Sequence, residues 1–271
     1  MRITISHTTT YRYASPVRYG LQELRLHPRT DPSLNVLNWS TTVEGGTHEI
    51  FFDDHYGNRV ELVSLDPGIS ETTVTAGGEV ETLDTDGIAA RHFGHTPMWF
   101  YLRTTPRTTP GPGVRRIADS VRDETDDVTR LHALSAAIRE AVAYRPGGSH
   151  VESTAEDAVE AGEGVCQDHA HVFIAAARTL GHSARYVSGY LLMDDIVEQD
   201  ATHAWAEVWV DALGWVGFDV SNGISPDDRY VRIATGLEYR AAAPISGVTY
   251  GAGEESLEVA LRVQQAQGGQ Q

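Results

Sequence analysis

The sequence predicts an α+β protein, an N-terminal antiparallel β domain followed by helices packed on a second antiparallel sheet. Three observations carry this expectation. Thr- and Val-rich runs separated by turn residues fill roughly the first 80 residues. A segment rich in Pro, Gly and Thr interrupts the chain at Thr104–Gly113. Beyond it, apolar residues recur at helical spacing before strand-like stretches return. A chain of 271 residues has room for one large domain or two modest ones.

Taken in order, Arg2–Tyr11, Val17–Leu26, Val36–Val43 and Arg59–Leu65 read as strands. Ser15-Pro16, Asp31-Pro32, Glu44-Gly45-Gly46, Tyr56-Gly57-Asn58 and Asp66-Pro67-Gly68 are the turn signals around them. Strands at this spacing suggest a small sandwich or barrel. His7, His27, His48 and His55 are scattered there and are expected to be surface or hydrogen-bonded residues. Thr104–Gly113 is expected to be a linker, because Pro and Gly both interrupt regular structure. Leu131, Leu134, Ile138 and Val142 then mark one face of a helix that Arg145-Pro146-Gly147-Gly148 ends. Ser153-Thr154-Ala155-Glu156 has capping-box spacing for a short helix closed by Gly162. A third helix follows Gly164-Val165-Cys166, with Ala170, Phe173, Ile174, Ala177 and Leu180 inward and Gly181 as its stop. Ala184–Leu191, His203–Val210, Trp215–Val220 and Tyr230–Ala234 read as strands, with Asp211-Ala212-Leu213-Gly214 as a hairpin turn, and Leu257–Val263 as a last strand. The expected domains are residues 1–105, a sandwich-like unit, and 113–263, the core. Residues 264–271, rich in Gln and Gly, are expected to be disordered.

Composition narrows the function. The formal net charge is −17, which disfavours nucleic acid and anionic membranes, since both are bound through cationic surfaces. The longest apolar run, Val172–Ala177, is far short of the ~20 residues that span a bilayer. The N-terminal residues Met1-Arg2-Ile3-Thr4-Ile5 lead into no apolar signal segment, so a cytoplasmic address is the expectation. All 21 basic residues are Arg; the sequence contains no Lys. A single cysteine, Cys166, excludes an intrachain disulfide and a multi-cysteine zinc site.

Three residues carry chemistry. Cys166 follows Gly162 and Gly164 at the expected first turn of a helix, where free N–H groups and the helix dipole favour a thiolate. In Thr202-His203-Ala204-Trp205-Ala206-Glu207-Val208-Trp209-Val210, alternation puts Ala204, Ala206, Val208 and Val210 on one face and His203, Trp205, Glu207 and Trp209 on the other. Asp219 ends the neighbouring strand, where it can lie beside His203. A cysteine, a histidine and a carboxylate in that order supply a nucleophile, a base and a group that orients the base.

Gly164-Val165-Cys166-Gln167-Asp168, Gly181-His182-Ser183-Ala184-Arg185-Tyr186-Val187-Ser188-Gly189-Tyr190, His203-Ala204-Trp205 and Gly214-Trp215-Val216-Gly217-Phe218-Asp219 together resemble the transglutaminase-like superfamily of papain-type cysteine enzymes. Tyr11-Arg12-Tyr13, Arg25-Leu26-His27-Pro28 and Asp54-His55-Tyr56-Gly57-Asn58 resemble the β domain that precedes this core in bacterial members. The resemblance covers most of the chain. It implies a papain-like core with Cys166 as nucleophile, His203 as base and Asp219 orienting the imidazole. Members often carry Asp-Pro-Thr at the third motif, where this chain has Asp219-Val220-Ser221.

The chemistry expected is acyl transfer from an amide through a thioester on a peptide or protein substrate, without cofactor or metal. Water is the expected acceptor; an amine acceptor would make the protein a crosslinking transglutaminase. A peptide-binding scaffold without catalysis is the reading from another class. The oxyanion would be held by the backbone N–H of Cys166 and a second donor, for which Tyr144 and Gln167 are the candidates. Asp168, His169 and His171 could instead suggest a metal site, but helix-surface hydrogen bonding is the expectation. Asp194-Asp195 and Glu198-Gln199-Asp200 are expected to form an acidic solvated loop, since they lack an EF-hand pattern.

Overall fold

A computed structural model describes residues 1–89, 94–147, 150, 152–194, 196–211 and 213–266. The N-terminal part contributes six strands: β1 (Arg2–Tyr13), β2 (Tyr19–His27), β3 (Leu34–Glu44), β4 (Gly46–Asp53), β5 (Arg59–Leu65) and β6 (Glu71–Thr82). Then come α1 (Pro112–Ser120), α2 (Asp127–Ala141), β7 (Ala143–Tyr144), α3 (Ala155–Ala161), β8 (Glu163–Gly164) and α4 (Cys166–Thr179). The strands β9 (Ala184–Leu191), β10 (Glu198–Gln199), β11 (His203–Val210), β12 (Gly214–Phe218) and β13 (Tyr230–Gly236) follow. A single turn, α5 (Tyr239–Ala242), leads to β14 (Ile245–Tyr250) and β15 (Glu255–Gln265).

Three antiparallel sheets result, ordered β10-β15-β1-β6-β3, β14-β2-β5-β4 and β12-β11-β9-β13. The first two face each other across Ile3, Ile5, Leu24, Leu26, Val63 and Val80. The third, the central sheet, is covered on both sides. Ala204, Ala206, Val208 and Val210 of β11 pack with α4 as the alternation predicts, while Tyr190, Val231 and Ile233 join the sandwich core. The opposite face of β11 is therefore buried as well.

Among the strands of the sandwich sheets, β4, β6, β10 and β14 escape the sequence reading. In β4 the residues Ile50-Phe51-Phe52 spoil the alternation. In β6 the pair Gly77-Gly78 looks like a break but is demanded by packing: a Cβ at Gly78 would sit 2.1 Å from the Asn38 carbonyl oxygen on β3. The other corrections concern the ends of the expected core. Thr104–Gly113 is no free linker, for Pro112 is the first residue of α1. Buried Arg178 of α4 donates to the Tyr101 carbonyl at 2.9 Å and to Thr108 Oγ1 at 2.8 Å, and Arg107 pairs with Glu238 at 2.9 Å. At the far end, β14 pairs with β2 and β15 with β1, so residues 245–265 belong to the sandwich sheets although they fall within the expected 113–263. Gln264 and Gln265 of the expected tail lie in β15; 267–271 lie outside the described residues, as do Gly148, Asp195 and Ala212.

Between sandwich and central sheet lies a buried charge chain. Glu207 accepts from Arg185 Nε at 2.7 Å and Arg232 Nη1 at 2.9 Å. Arg232 bonds on to Asp31, and the Arg185 guanidinium sits 4.1 Å from the centroid of the Trp215 ring. Burial opposes the Glu207 carboxylate, yet the charges of Arg185 and Arg232 hold it below the usual carboxylate range. His7, one of the scattered histidines, is buried and hydrogen-bonded to Tyr190 Oη at 3.0 Å and Thr9 Oγ1 at 3.1 Å, another tie between β1 and the central sheet.

Removing one member of a buried ion network strands the others. Glu207→Ala is expected to lower unfolding free energy by about 3–5 kcal/mol, read from urea denaturation. A loss under about 1 kcal/mol, the scale of an exposed pair, would show that these charges do not clamp the layers.

Candidate active site

The site is assembled from the start of α4, the start of β11 and the end of β12. Thr154 caps α3, its hydroxyl accepting from the Asp157 N–H while the Asp157 carboxylate accepts from the Thr154 N–H. The capping pair is thus one residue later than the expected Ser153/Glu156 frame. Glu156 is used elsewhere, accepting from the Gly113 and Val114 N–H groups at the N-terminus of α1. Gly162 ends α3 in the left-handed conformation expected of such a stop. Parallel pairing of β7 with β8 then carries the chain to Cys166.

Cys166 is the first residue of α4 and half-buried. The buried Asp168 side chain turns back to accept from the Val165 N–H at 2.8 Å, fixing the turn from which the thiol projects. This geometry explains Gly164, where a Cβ would lie 2.8 Å from that of Asp168. The Cys166 N–H is among the first helical donors, which have no acceptor within the helix.

His203 opens β11 opposite Gly189 of β9. Its Nε2 lies 2.6 Å from Asp219 Oδ2, and the ring is also hydrogen-bonded to Cys166, which leaves Nδ1 for the sulfur. The structure therefore brings together the three residues selected from the sequence. Trp205 stacks on the imidazole, ring centroids 6.3 Å apart, and Tyr230 stands edge-on to Trp205.

Asp219 has no solvent exposure. Its Oδ2 also accepts from Tyr230 Oη at 2.7 Å and Asn222 Nδ2 at 2.6 Å, and Oδ1 accepts from the Asn222 N–H at 3.2 Å. Neither Tyr230 nor Asn222 stands out in the sequence. Asn222, three residues after Asp219 in a turn, carried the only local signal, whereas Tyr230 arrives from β13 through tertiary packing. Ser221, where members often have Thr, donates its hydroxyl to His169 Nδ1 at 2.8 Å.

Electrostatics at the pair are governed by burial and hydrogen bonding together. Burial works against the imidazolium, but hydrogen bonds and charge from Asp219 and Cys166 outweigh it and push His203 up to about 10. Burial would raise Asp219; its bonds to His203, Asn222 and Tyr230 hold it below the usual carboxylate range.

The remaining candidates part company. His169 Nε2 donates to the Val142 carbonyl at 2.9 Å and Nδ1 accepts from Ser221, while His171 Nε2 accepts from the Tyr239 N–H at 3.1 Å. Burial lowers both, His171 to about 3. Asp168, His169 and His171 thus serve three separate contacts, and no metal-binding cluster occurs among the described residues. Glu198 and Gln199 of the acidic loop form β10 against β15. Tyr144 is half exposed, its phenol raised by burial and by the charges of Cys166 and Asp219, and its ring lies 6.1 Å from that of His169. Gln167 is the second residue of α4.

A cysteine at a helix start with a histidine and a carboxylate on adjoining antiparallel strands defines a transglutaminase-like core. Comparison with known families agrees: residues 115–220 match the transglutaminase-like superfamily and residues 3–81 the bacterial transglutaminase-like N-terminal region. The chain belongs to the transglutaminase-like superfamily. An uncharacterized protein of Mycobacterium leprae is 27% identical over 280 residues, covering 97% of this chain and 98% of its own. An uncharacterized protein of Mycobacterium tuberculosis is 28% identical over 282 residues, covering 94% of this chain and 90% of its own. A protein-glutamine gamma-glutamyltransferase of Pseudomonas aeruginosa is 28% identical over 161 residues, 51% of this chain but 23% of that protein. Among solved structures, a Cytophaga hutchinsonii protein provisionally named a cysteine protease shares the fold, with a TM-score of 0.76 and 20% identity over 100% of this chain and 92% of that one.

The raised His203 has a definite signature. Unfolded, the imidazole releases its proton near 6.5; folded, it keeps it to about 10. The stabilisation it contributes is fully present below about 6.5 and is lost as pH rises through about 10. Asp219 has the opposite sign, stabilising above its unfolded value and losing that effect on acidification. Asp219→Asn is expected to flatten the fall in urea midpoint between about pH 7 and pH 10. An equally steep fall in the variant would show that Asp219 does not hold the His203 proton.

Proposed function

We propose that the protein is a cysteine-dependent enzyme that hydrolyses a peptide, isopeptide or glutaminyl amide through a thioester. The observation that carries this reading is the continuous hydrogen-bonded line from Cys166 through His203 to Asp219. A binding scaffold has no use for a buried carboxylate spent on orienting one imidazole.

In the proposed reaction the Cys166 sulfur attacks the amide carbonyl carbon beside a charged His203. The resulting oxyanion is held by the Cys166 N–H and by a second donor, for which Tyr144 and Gln167 are the candidates. The C–N bond breaks as His203 gives its proton to the leaving amine, and a thioester remains. Water then attacks the thioester, its proton passes to His203, and the acid product leaves with Cys166 restored. Asp219 keeps Nε2 occupied, so that Nδ1 faces the reacting atoms throughout.

An amine could replace water in the second half, and the two outcomes are separable. The sequence has no Lys, so no side chain of this protein can act as the acceptor and its own copies cannot be joined through glutaminyl–lysine bonds. Given a glutaminyl or peptide substrate and a labelled primary amine, the enzyme is expected to yield mainly free acid and to remain monomer-sized on a denaturing gel. Cys166→Ala should abolish turnover and Asp219→Asn should reduce it by about four orders of magnitude with the fold intact. Predominant amide product at modest amine concentration would reassign the protein as a transglutaminase; full activity in Cys166→Ala would end the proposal.

A further inference from the structure

Beside His203 lies a cleft of about 270 Å³ that the chemistry above does not use. We propose that this cleft, walled by Thr9, Tyr11, Ala201, Thr202, Ile245 and Leu257, is the subsite for an apolar side chain on the amine side of the scissile bond. The inference rests on acyl transfer at Cys166 and adds the class of substrate: an amide whose leaving amine carries a large uncharged aliphatic or aromatic group.

Position is the first argument. Thr202 is bonded directly to His203, the residue that would protonate the leaving amine. Tyr239, also in the wall, donates its N–H to His171 on α4 and packs edge-on against Tyr186, centroids 6.0 Å apart. The cleft therefore adjoins the start of β11, where His203 stands. An extended peptide advances about 3.3 Å per residue, so the first side chain beyond the scissile nitrogen falls in the region next to His203.

Size and chemistry are the second. Whole-ligand sites run from roughly 300 to 1,000 Å³, so this cleft suits one large side chain. Leu257, Val259, Pro244 and Ile245 give apolar walls, and Leu257 is 58% exposed. Among the described residues, no Arg lines the cleft. Its charged member is Asp200 at the rim, while His7 is buried, hydrogen-bonded on both nitrogens and lowered to about 4 by that burial. An anionic side chain would meet a carboxylate and no cation; an apolar one would take Leu257 and Ile245 out of water. Most of the wall comes from β1, β14 and β15, which gives the sandwich a part in choosing substrate.

The test uses chloroacetamide and the chloroacetyl amides of leucinamide, phenylalaninamide, alaninamide and aspartate α-amide. All alkylate Cys166 by the same step: the sulfur–carbon bond forms as chloride leaves, and the proton held by the charged His203 stays where it is. Chloroacetamide has no side chain and reports the nucleophile alone. Rates are read from intact mass on the full chain. The Leu and Phe probes are expected to react at least about ten times faster than the Asp probe, with Ala between. Leu257→Asp and Ala201→Arg, both at exposed positions, should shrink that preference to about twofold while chloroacetamide reacts at the native rate. Equal rates for the Leu and Asp probes on the native protein, or an undiminished preference in both variants, would overturn the subsite while leaving the nucleophile standing. Failure of chloroacetamide to modify Cys166 would remove the acyl-transfer reading itself.

Discussion

The hydrogen bond between Asp219 and His203, 2.6 Å long and buried at the edge of the central sheet, is the constraint on which the rest depends. A carboxylate without solvent is tolerated only when its lone pairs are filled. Here the imidazole, a tyrosine hydroxyl and an asparagine side chain converge on one oxygen, and a backbone N–H reaches the other. Those donors come from β11, β13 and the turn after β12, so an ionised Asp219 requires the sheet to be in register across all its strands. The same bond turns the other ring nitrogen of His203 toward α4, where the first helical residue is Cys166. Fold and chemistry thus share one electrostatic solution.

The sheet that carries this pair is gripped from both sides. On one face α4 is buried along nearly its whole length. On the other, Glu207 and its two arginines face the sandwich, with Asp31 completing the chain of charges. Return of the chain through β14 and β15 ties the C-terminal strands into the sheets built by the first residues. The two halves consequently share a core in which Tyr190 and Val231 lie with Ile3 and Ile5. The His203–Asp219 pair sits close to the seam where they meet.

Much of this was legible in the residues. Ala184–Leu191 and His203–Val210 coincide with observed strands because β-branched, aromatic and small residues there lie between clear turn signals. The triad was legible for another reason: three chemically distinctive residues stood out where local structure did not need them. What escaped was set by contacts distant in sequence. Gly77-Gly78 read as a break because the carbonyl it must clear belongs to another strand. Pro112 read as linker although it begins a helix whose N-terminus is capped by Glu156, far along the chain. Tyr230 looked like an ordinary strand aromatic, since only the folded sheet reveals what its hydroxyl meets.

The proposed mechanism requires His203 to be an imidazolium beside Cys166 at neutral pH, which nitrogen-15 NMR of the His203 ring measures directly. Both ring nitrogens should show imidazolium shifts at pH 8, and the titration midpoint should lie near pH 10. Loss of the Nε2–H signature, with a neutral ring and a titration near the ordinary value of about 6.5, would contradict the hydrogen-bonded line from Cys166 to Asp219 and the mechanism built on it.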